Sequence, residues 1–317
     1  MKNIIKEYLG HLERMRGFAK STLNMHQRLC TTWENFLTST RNKELFTAKP
    51  EDLLSFIKFR QTIGNVKNVT ISGELCILRT LYGYLYDFQK IQFNPSASLP
   101  ELICEPPAEK KYLTINECFN LLESINTDNQ IGLRDHTIIA LLWSTGLRPS
   151  ELCALDRRDI NLTEGFLLVR KGKCGKQRQI FFNDTMGEIL TRYWVMFPGD
   201  DNTPLFHAFP KNQTNKKRYA RLSQSCLSGM VKQSSKAVGI SKTVSPLTFR
   251  HTFATHMYEA GAEMKDIKEM LGHDDETETT IYVHISVETA RKFIEDHIAN
   301  PAKYNHGGRQ CYSAHQN

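Results

Sequence analysis

Residues 94–111 read NPSASLPELICEPPAEKK, and this stretch divides the chain in two. Prolines at 95, 100, 106 and 107, without sustained apolar periodicity, describe an extended connector, because each proline fixes φ and removes a main-chain donor. N-terminal to it, Ile4, Ile5, Tyr8, Leu9 and Leu12 recur at helical spacing. Leu23, His26, Leu29, Trp33 and Leu37 do the same in a second helix that starts at Ser21. Pro50, with Glu51 and Asp52 behind it, opens a third helix, where a missing N–H costs nothing and acids suit the positive helix end. A fourth, from Thr70 to Phe88, turns Leu75, Leu78, Leu81, Tyr82 and Leu85 inward. These four make a compact basic bundle over residues 1–95, and residues 96–111 are a linker.

C-terminal to the connector, Thr114 precedes a helix through Cys118, Leu121 and Leu122, and a buried helix follows from Asp135 to Ser144. Residues 165–182, GFLLVRKGKCGKQRQIFF, are two strand-like runs around a glycine-containing turn, the pattern of a β-hairpin. Helices return after Ser223. The fold class expected is mainly α with a small antiparallel β-sheet, in two domains, the second covering 112–299. Residues 300–317 form a flexible tail. Two lobes on such a connector suit a C-shaped clamp around duplex DNA.

The composition supports a polyanion as partner. The 317 residues carry 41 Lys plus Arg against 34 Asp plus Glu, a formal charge of +7. Residues 1–100 hold 14 basic and 8 acidic side chains, 157–236 hold 15 and 6, and 259–296 hold 4 and 11. Two basic blocks offer surfaces to nucleic acid, and the acidic block can dock on a basic neighbour. No apolar run approaches the ~18 residues of a membrane helix, and the charged N-terminus is no secretory signal, so a cytoplasmic protein is expected. The eight cysteines form no CxxC pair, which argues against a disulfide framework or zinc site.

Four dispersed clusters carry chemical potential. In Thr145-Gly146-Leu147-Arg148-Pro149-Ser150-Glu151, an arginine enters a helix with a glutamate in position to brace it. Lys173 lies near the hairpin tip between Gly172 and Gly175, in a string that lacks the earlier glycine and the Ser or Thr of a nucleotide-binding P-loop. Ser245 to His256, SPLTFRHTFATH, starts a helix with Arg250 in its first turns; His251 and His256 there read as packed helix histidines, not metal ligands. Leu271-Gly272-His273 ends a helix with a glycine cap, and Tyr282 follows nine residues after the histidine.

Taken in order, TGLRPSEL, the GK turn, RHTFATH, LGH and TETTIYVH resemble the tyrosine recombinase (phage integrase) family over residues 112–298. The bundle before them resembles that family's core-binding domain. The resemblance implies that Tyr282 attacks a DNA phosphate to give a 3′-phosphotyrosine, that Arg148, Arg250 and His273 bind the phosphate oxygens, and that Lys173 protonates the leaving 5′-oxygen. It implies no metal and no other cofactor. Short paired sites on double-stranded DNA, recombined through a Holliday junction, are the implied substrate, for a simple Xer-like or mobile-element enzyme.

One position departs from the family pattern. Leu247 stands three residues before Arg250, where the family carries a histidine, and its side chain can neither accept a proton nor bind phosphate. That departure leaves open a DNA-binding regulator with a degenerate site, and the residue set also fits a type IB topoisomerase-like enzyme. After Tyr282, Ser286 caps a last helix, 287–299, with an apolar stripe of Ala290, Phe293, Ile294 and Ile298. The resemblance implies that this helix docks on a neighbouring protomer in a homo-tetramer on DNA.

Overall fold

The computed structural model describes residues 2–99, 101–103, 112–170, 177–209 and 220–272. Two compact units divide between residues 108 and 109. Among the described residues no helix is long and apolar enough to cross a membrane.

The first unit contains helices α1 (Lys2–Arg16), α2 (Lys20–Phe36), α3 (Pro50–Thr62) and α4 (Asn68–Asp87). They match the four expected from apolar periodicity. Trp33, Phe36, Phe56 and Tyr82 meet edge-on or stacked at the centre, and each is buried. Polar tips in this core find partners: the Trp33 Nε1–H donates to Tyr82 Oη at 2.8 Å, and Tyr82 Oη donates to the Leu45 carbonyl at 3.2 Å. Asp52 explains the sharp start of α3, since its carboxylate accepts the Lys49 N–H at 2.8 Å and the Lys43 ammonium at 2.7 Å. A single wide π-type turn over Leu37–Arg41 ends α2, which the sequence pattern did not announce.

The second unit is built around α6 (Gln130–Thr145), in which every residue from Thr137 to Thr145 is buried. The helix starts five residues before the expected Asp135, because the Asn129 side chain accepts the Gly132 N–H at 2.8 Å and caps it there. Helices α8 (Asp184–Met196) and α10 (Pro246–Glu259) pack on α6, and α5 (Ile115–Glu123) joins them. Thr114 caps the start of α5 through a reciprocal pair with Glu117. Short α7 (Pro149–Ala154), α9 (Gln224–Ala237) and α11 (Met264–Leu271) complete the helices among the described residues.

The sheet has three antiparallel strands, where the sequence offered two. Strands β2 (Phe166–Val169) and β3 (Arg178–Phe181) pair in the register Phe166↔Phe181 to Val169↔Arg178. A two-residue β1 (Ile160–Asn161) adds to β2, too short for any alternation to reveal. Residues 171–176, between β2 and β3, lie outside the described residues.

Gly146 ties the core to the helix ends around it. It closes α6 in the left-handed region at φ +61°, and a Cβ there would stand 2.6 Å from Phe253 Cδ1 and 2.8 Å from Leu271 Cδ2. Gly146→Ala therefore combines backbone strain with overpacking and is expected to lower stability by about 2–4 kcal/mol. Urea denaturation of the full chain measures this, and a loss below ~1 kcal/mol would contradict the packing described.

Candidate active site

Arg148 caps the start of α7, with Pro149 at the first helical position. Glu151, one turn in, is buried, and its carboxylate accepts the Arg148 main-chain N–H at 2.9 Å and the Arg148 Nη1–H at 2.9 Å. Glu151 thus meets Arg148 through both a main-chain and a side-chain donor. A second guanidinium, from Arg178 at the start of β3, meets the same carboxylate in a two-pronged pair, Nη1 to Oε1 at 2.8 Å and Nη2 to Oε2 at 2.7 Å. Burial alone would raise the Glu151 carboxyl, but Arg178 and Arg148 outweigh it and bring it down to about 2. Glu151 is held as an anion.

Arg250 sits on α10, packed against Gly146 and α11. Its Nη1–H donates to the Gly146 carbonyl at 2.9 Å and its Nη2–H to the Leu271 carbonyl. Burial first, then the neighbouring Arg148 and Arg178 charges, push its pKa down to about 10. At any neutral pH it remains a cation.

The arginines converge on one helix end. The last carbonyls of α11 and its Gly272 cap accept from three different guanidiniums: Met270 from Arg178 Nε at 3.2 Å, Leu271 from Arg250, and Gly272 from Arg148 Nη2 at 2.9 Å. Such carbonyls have no partners within their own helix, and the negative helix end favours cations. Gly272 is left-handed at φ +63°, as its predicted capping role requires, and leads directly into His273.

Of the expected site residues, the structure brings Arg148, Glu151 and Arg250 together. Lys173, His273 and Tyr282 lie outside the described residues, as do the helix expected at 287–299, the tail at 300–317 and most of the linker. Leu247 lies in the first turn of α10 with 47% of its surface exposed. His256 is the packed histidine expected: its Nδ1 accepts from Trp143 Nε1–H at 3.1 Å and its Nε2 pairs with the Leu113 carbonyl at 2.9 Å. Burial lowers its pKa, so the ring is neutral. His251 is half-buried on the same helix.

Arg178 was not singled out from the sequence, though a signal exists. In a strand, residues two apart share a face, and Arg178 shares one with the buried Ile180. An arginine on a core-facing side needs an acid to meet it.

The phage integrase family profile matches residues 111–289, and the phage integrase N-terminal SAM-like domain profile matches residues 5–89. The tyrosine recombinase XerC of Syntrophus aciditrophicus is 30% identical over 298 residues, covering 90% of this chain and 94% of its own length. The tyrosine recombinase XerD of Staphylococcus saprophyticus is 30% identical over 303 residues, covering 93% and 98%. Among solved structures, a lambda integrase dimer bound to a core site shares the fold with a TM-score of 0.68 at 17% identity, covering 90% of this chain and 99% of that one. A lambda integrase tetramer bound to a Holliday junction gives 0.66 at 19%, covering 89% and 80%. The chain belongs to the phage integrase family, the tyrosine site-specific recombinases that act on DNA.

Glu151 gives the site a measurable acid signature. Its folded carboxyl lies below the ordinary 4.5, so its contribution to stability is complete above about pH 4.5 and disappears as pH falls toward 2. Glu151→Gln leaves two part-buried guanidiniums without their anion and is expected to cost about 3 kcal/mol at pH 7. The variant should also lose the acid-dependent part of the slope. Urea midpoints across this range check both, and parallel pH curves for the two proteins would refute the assignment.

Proposed function

We propose that Arg148, Lys173, Arg250, His273 and Tyr282 form one phosphoryl-transfer site that cuts and rejoins DNA through a 3′-phosphotyrosine. The Tyr282 oxygen attacks the phosphorus and gives its proton to water or His273; the bond to the 5′-oxygen breaks, and Lys173 supplies the proton that oxygen takes up. One ester replaces another, so the bond energy is kept for rejoining and no nucleotide is consumed. Negative charge grows on the nonbridging oxygens, where Arg148 and Arg250 supply fixed cations with paired donors. The observation that carries this reading is the convergence of these two guanidiniums, from segments 102 residues apart, on the helix end that runs into His273.

In this reading residues 1–95 form the core-binding domain, 96–111 the linker and 112–299 the catalytic domain, closing on duplex DNA from two basic surfaces. Short paired sites are exchanged through a Holliday junction by four copies, each lending its 287–299 helix to a neighbour. The protein works in the cytoplasm, where its DNA is. Affinity for site DNA should fall steeply with salt as phosphate contacts release counterions.

Trapping on a nicked suicide substrate tests the chemistry. Wild type should give a covalent protein–DNA adduct, and Tyr282→Phe should give none while binding the same DNA. Binding without any adduct from the wild type would leave a DNA-binding regulator. Strand exchange between two labelled duplexes separates recombination from simple relaxation.

Leu247 sets the rate in this reading. It is exposed, stands one helical turn before Arg250 and has no group able to take the nucleophile's proton. Leu247→His should speed single-turnover cleavage, by up to about 100-fold. An unchanged or slower rate with binding intact would remove Leu247 from the account.

A further inference from the structure

We infer that Arg178 is a positioning residue of the active site: it holds Glu151 with two prongs and the α11 end with a third, and so fixes where Arg148 points. The inference rests on the preceding assignment of Arg148 and Arg250 to the scissile phosphate, and it adds a residue that acts through its bonds to Glu151 and Met270.

Three observations support it. Arg178 spends its donors on protein: Nη1 and Nη2 on the two Glu151 oxygens at 2.8 and 2.7 Å, and Nε on the Met270 carbonyl at 3.2 Å. Its side chain is only 13% exposed, whereas Arg148, on the same carboxylate, is 23% exposed. Gly272 is packed against it as well, since a Cβ on that glycine would lie 3.3 Å from Arg178 Cδ and from its Nη1. The guanidinium therefore fills the space between α7 and α11 and bonds to both.

The consequence is electrostatic and mechanical. Glu151 must be anionic to accept from Arg148 through both its main-chain and its side-chain donors, and Arg178 provides the stronger of its two ion pairs. Among the described residues three charged groups face Glu151: Arg148 from its own α7, Arg178 from β3 and Arg250 from α10, while α11 presents main-chain carbonyls to those arginines. Without Arg178, Glu151 keeps its burial but loses its main counter-charge, so its carboxyl rises and protonates at higher pH. Arg148 then loses its anchor, and a displacement of about 1 Å at a phosphate-binding group costs ~100-fold in rate. β3 is also the strand that returns from Lys173, five residues upstream, so the same side chain fastens that strand's start to the arginine site.

The test compares wild type, Arg178→Met and Arg178→Lys as full-length chains on a nicked suicide duplex carrying the recombination site. Binding is measured at fixed salt and adduct formation in single turnover from pH 5 to 9. Arg178→Met should bind DNA within ~3-fold of wild type, cleave on the order of 100-fold more slowly, and lose activity on acidification at a higher pH than wild type. Arg178→Lys keeps the charge but cannot span both carboxylate oxygens and the Met270 carbonyl, so it should restore the wild-type acid limb and only part of the rate. Arg178→Met cleaving at the wild-type rate overturns the inference, and so does a rate loss fully matched by lost DNA affinity, which would make Arg178 a DNA contact. If Arg178→Met does not fold, Arg178→Lys decides: slower cleavage at unchanged affinity supports the inference, and an unchanged rate overturns it. A wild type that binds but forms no adduct overturns the preceding assignment and this inference with it. A cleaving wild type beside an unimpaired Arg178 variant overturns this one alone.

Discussion

The site depends on how a helix ends. The last carbonyls of α11 and its Gly272 cap have no partners within their helix, and three guanidiniums from three separate elements supply them. Each bond is an ordinary charge-assisted one, but together they pin α7, β3 and α10 to a single point. Gly146 contributes from the other side, offering its carbonyl to Arg250 while its missing Cβ lets Phe253 and Leu271 close over the same corner. The geometry of the arginine cluster therefore rests on the packing of the core beneath it.

Crowding three guanidiniums also creates an electrostatic problem: the Arg250 pKa is lowered first by burial and then further by the Arg148 and Arg178 charges. Glu151 is the answer to it. One buried carboxylate neutralises one arginine's worth of charge, which leaves a net of about two positive charges among the described residues of the corner. Without the anion the cations would repel one another; with a second anion the site would hold little attraction for phosphate. Arg178 and Glu151 are best regarded as one neutral, rigid unit, and Arg148 and Arg250 as the charge left over.

Much of this was legible in the sequence. Periodic apolar residues in α1 to α4 have only one packed solution, so that half could be read almost element by element. Gly272 and the Arg148-Pro149 helix start were visible because caps act over a few residues. The sequence hid what depends on distant partners: the Trp143 to His256 bond joins residues 113 apart, and the Arg178 to Glu151 pair joins residues 27 apart across a sheet and a helix. Strand β1 escaped because two residues carry no period. Ionic pairing in particular leaves no trace in a single chain beyond a charged residue on an otherwise buried face.

Leu247 shows how narrow the departure from the family pattern is. The first turn of α10 keeps its capping geometry, with Ser245 and Thr248 bonded reciprocally and Pro246 at the first helical position. Nothing in that turn has been remodelled to accommodate a leucine, and its side chain lies exposed on the surface. Arg250, one turn later, keeps both its bonds to the Gly146 and Leu271 carbonyls. A leucine at this exposed position is thus compatible with the capped helix start and with both Arg250 bonds. Position 247 can therefore change without moving the guanidinium one turn further along the helix.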